Sequence, residues 1–126
     1  EFSVHLDRAV SMFQRHVADN IKVEDVARHL GISHPHLTRL FTSRFGVTPL
    51  QYYRRLKTEV AVSMLLNSTL SVKEIAYELG FSNPYHFSRS FREFTGSSPT
   101  AYRTQYFREN PMQYATKVVP DPTNRP

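Results

Sequence analysis

"VEDVARHLGISHPHLTRLF" runs from Val23 to Phe41, and "VKEIAYELGFSNPYHFSRSF" from Val72 to Phe91, so the chain writes one pattern twice. At an offset of 49 residues Val26 pairs with Ile75, Ala27 with Ala76, Leu30 with Leu79 and Gly31 with Gly80, then Ser33 with Ser82 and Pro35 with Pro84. Beyond that the offset is 50, pairing Leu37/Phe87, Arg39/Arg89, Phe41/Phe91, Gly46/Gly96, Pro49/Pro99 and Tyr52/Tyr102. The second copy thus carries one extra residue, which this alignment places near Asn83 and Pro84. Two copies are too few for a solenoid, whose units bury a core by stacking three or more. They read as a pair of like units.

Each copy predicts two helices. Val23, Val26, Ala27 and Leu30 fall at i, i+3, i+4 and i+7, one apolar helix face, and Val72, Ile75, Ala76 and Leu79 repeat it. Ser71 followed by Glu74 makes a capping box, whereas Lys22 offers no such cap. Each first helix meets a glycine, Gly31 or Gly80, which can take the left-handed conformation that ends a helix. Ser33 then caps a second helix from His34 to about Phe45, with Pro35 tolerated in its first turn. Asn83 caps the counterpart, with Pro84 at the first helical position and the end near Thr95. Helix, short glycine turn, helix is the helix-turn-helix pattern.

The remaining segments fall around these units. Residues 4–20 predict an amphipathic helix with Val4, Ala9, Val10, Phe13 and Val17 inward. Thr48 and Pro49 open a connecting helix to Asn67, whose apolar faces use Leu50, Tyr53, Val60, Ala61, Met64 and Leu65. Ser98 and Pro99 open a last helix. No strand pattern survives, so the expected fold is all-α: two helix-turn-helix subdomains joined by a long linker helix, about seven helices in homeodomain-like units. The expected divisions are 1–47 and 68–110 for the subdomains, 48–67 for the linker, and a loose tail over 111–126, where prolines recur without a period.

Composition narrows the function. In 126 residues there are 16 Lys+Arg against 11 Asp+Glu, a net charge of +5 that favours a polyanionic partner, nucleic acid before a membrane surface. The lack of cysteine excludes disulfides and thiol catalysis and suits a reducing compartment. No apolar run approaches the ~20 residues of a membrane-spanning helix. The first residues lack the basic end and apolar core of a signal peptide. Without an initiator methionine, the chain reads as a fragment or a processed product.

Periodicity separates core from working surface. At about 100° per residue from Leu37, the side chains of Leu40, Phe41 and Phe45 share the inward face, while Pro35, Thr38, Arg39 and Thr42 lie opposite. In the second copy Phe87, Phe91 and Phe94 point inward, and Tyr85, Ser88, Arg89 and Arg92 outward. This short, polar and basic set suits duplex DNA. An arginine fork can bond both guanine acceptors in the major groove, and Thr or Tyr can reach a base edge, a phosphate or a thymine methyl. The helix starts at Ser33 and Asn83, with His34 and His36 beside the first, can face phosphates. A linker over 49–67 would be ~28 Å long, near the ~34 Å between successive major grooves on one face of B-DNA. One chain would then read two successive grooves of an asymmetric site, and a rigid linker would require some DNA bending.

These residues also carry a family likeness. "IAYELGFSNPYHFSRSFREFTGSSPTAYR", Ile75 to Arg103, closely resembles the signature of the AraC/XylS transcription regulators, and the likeness extends over about residues 5–108. It implies a bacterial, cytoplasmic, nucleoid-associated protein that binds promoter DNA through both units and activates transcription by contacting RNA polymerase. It implies no cofactor, an isolated domain that is monomeric, a full-length protein able to dimerise, and an upstream effector-sensing domain outside this chain. By matched position the base-reading sites fall on Pro35, Thr38 and Arg39, and on Tyr85, His86, Ser88 and Arg89. Pro35 departs from the bulky or polar residue usual there, so its contact is apolar and Arg39 and Thr38 carry most of the first-site specificity. In some relatives the second unit engages mainly the DNA backbone, and both readings of that unit stay open.

Three other functions compete with this reading. His34-x-His36 suggests metal, but residues two apart on a helix do not share a face and no third ligand stands at a suggestive spacing. No glycine-rich phosphate loop, nucleophile elbow or Cys/His couple points to an enzyme, and Glu24, Asp25, Glu74 and Glu78 read as solvated charge. A helical adaptor could use Tyr52, Tyr53, Tyr102 and Tyr106 as a protein-binding face. The recurrence of Tyr52 and Tyr102 at matched positions favours internal packing instead.

Overall fold

The helix boundaries in the computed structural model follow from caps that the sequence itself supplies. The structure describes residues 3–112, and the tail expected from residue 111 lies, beyond Met112, outside the described residues. These form α1 (Val4–Arg15), α2 (Val23–Leu30), α3 (His34–Phe45), α4 (Pro49–Asn67), α5 (Val72–Glu78), α6 (Pro84–Thr95) and α7 (Pro99–Glu109). Among the described residues there is no strand. Ser33 caps α3, Asn83 caps α6 and Ser98 caps α7, each accepting the amide three residues on, and α2 starts at Lys22 without a side-chain cap. Ser71 and Glu74 form the expected capping box on α5. α4 has a reciprocal cap of its own: the Gln51 amide donates to Thr48 Oγ1 at 3.2 Å, and the Thr48 amide donates to Gln51 Oε1 at 2.9 Å.

The described residues fold as two compact units divided between Lys57 and Thr58, inside α4. In unit one, Leu6, Ala9 and Phe13 of α1, Val23, Val26 and Ala27 of α2, Leu37 and Phe41 of α3 and Tyr53 of α4 form the core. The Tyr53 ring stacks on Phe13 at 4.9 Å, and Tyr52 meets Phe41 edge-on at 5.3 Å. In unit two the C-terminal part of α4 contributes Ala61 and Leu65, which pack with Ile75, Ala76, Leu79, Phe87 and Phe91. Tyr102 meets Phe91 edge-on at 5.5 Å, repeating the contact that Tyr52 makes with Phe41. The matched tyrosines are thus packing residues in both units.

The structure departs from sequence periodicity at the end of α1, at Val4 and at Leu50. The first helix stops at Arg15 and does not continue to residue 20. The Tyr53 hydroxyl lies 2.6 Å from the His16 carbonyl and 2.9 Å from that of Asp19, and the Lys57 ammonium donates to the carbonyls of Val17, at 2.7 Å, and Asp19. These donors from α4 hold the carbonyls just beyond the last turn of α1, and the His16 carbonyl also accepts the Asp19 amide at 3.0 Å in a closing turn. Val4, expected inward, is 53% exposed, and Leu6 fills that place. Leu50 is likewise exposed, because the neighbouring Pro49 takes the buried position at the start of α4.

Unit two closes in the same way with different chemistry. Arg103 Nε donates to the Leu65 carbonyl at 2.9 Å, and its Nη2 to that of Ser68 at 3.3 Å. Tyr53 and Arg103 occupy matched positions 50 residues apart, and their acceptors, His16/Leu65 and Asp19/Ser68, pair at 49. The duplication therefore begins before Val23, in a stretch where the residues themselves no longer match.

Candidate nucleic-acid interface

The two turns fix how each recognition helix is presented. Gly31 takes φ 74° and Gly80 φ 82°, conformations that glycine adopts without a Cβ penalty. The following amides fold back alike, Ile32 onto the Ala27 carbonyl at 3.1 Å and Phe81 onto that of Ala76 at 3.0 Å. Up to this point the offset is 49, and at the caps, Ser33 and Asn83, it is 50. The extra residue is therefore Ser82. This corrects the pairing read from identity: Ser33 is equivalent to Asn83, and Pro35 to Tyr85, not to Pro84.

The caps narrow the anion-facing donors. Ser33 Oγ accepts the His36 amide at 3.1 Å and Asn83 Oδ1 accepts the His86 amide at 2.9 Å. Pro35 and Pro84 have no amide hydrogen. Among the first three residues of each helix, one amide is left for an outside acceptor, that of His34 in α3 and of Tyr85 in α6. His34 is exposed, and His36 is half-buried with its ring edge-on to His5 of α1 at 6.2 Å between centroids. No group of three His, Cys, Asp or Glu side chains suited to a metal occurs among the described residues.

On the outward face of α3, Pro35, Arg39 and Thr42 are exposed and Thr38 is half-buried. Thr42 is not a free hydroxyl donor. Its Oγ1 lies 2.9 Å from the Thr38 carbonyl and 3.2 Å from that of Arg39, which leaves the methyl group and a lone pair for an external partner. On α6, Tyr85, His86, Arg89 and Arg92 are exposed and Ser88 is half-buried, while the Ser90 hydroxyl turns inward. The Arg89 guanidinium carbon sits 6.0 Å from the centroid of the Tyr85 ring. Their i, i+4 spacing puts Tyr85 and Arg89 on one helix face, and the rotamers bring them together. Arg39 has the non-aromatic Pro35 at the equivalent position.

A family model for a helix-turn-helix domain matches residues 26–105. The transcriptional regulator of Chromobacterium violaceum, with an AraC-type DNA-binding domain, superposes with a TM-score of 0.73 at 31% identity, covering 80% of this chain and 90% of that one. This chain belongs to the AraC/XylS family. The DNA-binding domain of AdpA, a global transcriptional factor, in complex with a target DNA, superposes with a TM-score of 0.80 at 33% identity, covering 86% of this chain and 98% of that one. Among curated relatives, the uncharacterized HTH-type transcriptional regulator YfiF of Bacillus subtilis is 42% identical over 95 residues, 72% of this chain and 30% of that protein. The chain spans about a third of the length of the curated relatives it matches. The family is one of DNA-binding transcription regulators. Among the described residues no helix is long and apolar enough to cross a membrane.

Proposed function

We propose that this chain is the part of a bacterial transcription regulator that reads promoter DNA, with α3 and α6 as recognition helices. The repeated arginine carries the reading: Arg39 and Arg89 stand exposed at equivalent positions of two capped helices. An arginine fork at that place matches the two acceptors of guanine, and its neighbours differ, Pro35, Thr38 and Thr42 in one unit and Tyr85, His86, Ser88 and Arg92 in the other. Ser33 and Asn83 position the single remaining amide of each first turn for a phosphate. AdpA's domain, bound to a target DNA, supports the partner class.

Two recognition helices with unlike outward faces in one chain support reading an asymmetric site. Activation through contact with RNA polymerase, a cytoplasmic location on the nucleoid, and a monomeric isolated domain complete the proposal and rest on the family alone.

Selection of duplexes from a randomised pool by the whole chain tests it, followed by titration of the winners at rising salt. The reading expects a consensus of two unlike half-sites about 10 base pairs apart, and an affinity that falls steeply with salt. A pool that yields no consensus, with binding indifferent to salt, would overturn it in favour of a protein-binding adaptor.

A further inference from the structure

We infer that Tyr85 is a positioning residue that holds the Arg89 guanidinium ready for a guanine, so that unit two reads a base and not only the DNA backbone. This rests on the reading that α6 meets DNA. Tyr85 is 68% exposed, more than any other tyrosine among the described residues, and it belongs to neither core. An aromatic ring left on a polar helix face gains nothing from burial. Its neighbours are polar: the Arg89 guanidinium 6.0 Å from its centroid and the His86 ring edge-on at 6.0 Å. A cation at this distance from a ring face is drawn to it by the ring's quadrupole.

The consequence concerns entropy. An exposed arginine samples many rotamers and loses that freedom when its fork engages a base. A ring one turn earlier on the same helix face removes part of that loss before DNA arrives. Arg39 has no such ring, because its equivalent neighbour is Pro35. The two arginines look identical in sequence and differ in preorganisation. Tyr85 thereby acts on base preference through Arg89, in place of a base contact of its own.

The test is a double-mutant cycle on the full chain, with the duplex that the wild type selects from a randomised pool as the probe, and with single-base variants of it. Tyr85→Ala should lower affinity about 2- to 5-fold, as an exposed cation–π contact would. The loss should concern the preference for one base, the one that Arg89→Ala relaxes, and melting should be unchanged because the ring is outside the core. Tyr85→Phe keeps the ring and should retain wild-type affinity and preference. In the Arg89→Ala background, Tyr85→Ala should have no further effect. If the two losses add, or if Tyr85→Phe loses as much as Tyr85→Ala, the positioning role is overturned while α6 remains on DNA. If Arg89→Ala binds the selected duplex like wild type, the underlying reading of α6 falls as well.

Discussion

In unit one a tyrosine hydroxyl holds the carbonyls that end the first helix; in unit two a guanidinium holds the equivalent carbonyls. One turn further along, Lys57 in unit one is matched by Phe107 in unit two, and both are buried. The glycine turns, a side-chain cap on the second helix of each helix-turn-helix and the Phe–Tyr contact recur in both, while α5 has a capping box that α2 lacks. What is duplicated is thus a set of physical tasks: end a helix, turn, cap, fill the core, tie the first helix to the last. The residue that performs a task is free to change wherever another side chain can satisfy the same groups. The outward faces are freer still, since their side chains fill neither core.

The largest expected effect tests the shared part. Phe41→Ala and Phe91→Ala should each cost about 3–5 kcal/mol, because both rings are completely buried. Hydrogen exchange followed residue by residue should show each loss first in its own unit. A variant that melts like the wild type would break the equivalence of the two cores.

A smaller effect tests the tie between the helices. Tyr53→Phe keeps the stack on Phe13 and removes only the hydroxyl, leaving the His16 and Asp19 carbonyls without that donor. Arg103→Ala does the same to Leu65 and Ser68. Each should cost about 1–3 kcal/mol, measured by denaturant titration. If one change is neutral and the other is not, the tie is structural in only one unit.

The smallest effect separates Lys57 from Phe107. Burial pushes the Lys57 ammonium down to about 8, against the opposing charge of Asp19. An unfolded lysine titrates near ~10.4. Between these values the unfolded chain holds more protons than the folded one, so this group adds stability as pH rises through the window. Burial raises the Tyr53 phenol, which acts in the opposite sense above its ordinary value, as the folded form keeps a proton that the unfolded form gives up. Denaturation midpoints taken from pH 8 to pH 10 should therefore rise more in the wild type than in Lys57→Met. Parallel curves would show that Lys57 is not responsible.

Much of the frame was legible because its signals are local. Ser33, Thr48 and Asn83 with Gly31 mark boundaries within a few residues of themselves, and α2, α3 and α4 span the expected ranges. The end of α1 was hidden because it is set by Tyr53 and Lys57, more than 30 residues away. The exposure of Val4 and Leu50 was hidden because periodicity gives the face of a helix and not how much of its length is covered. Within the candidate site, the outward faces followed from periodicity, and the extra residue was misplaced because Ser82 and Pro84 mimic Ser33 and Pro35 by identity. The Thr42 hydroxyl bond and the Tyr85–Arg89 pair depend on rotamers, which a sequence pattern does not specify.

The central claim is that like frames present unlike reading faces around a shared arginine. Arg39→Ala and Arg89→Ala, each titrated against the selected duplex and its single-base variants, test it most directly. The account predicts a loss of ~1–3 kcal/mol for each, with base preference relaxed at one position, and a different position for each. Equal losses on selected and random duplexes, or wild-type binding by both variants, would contradict it.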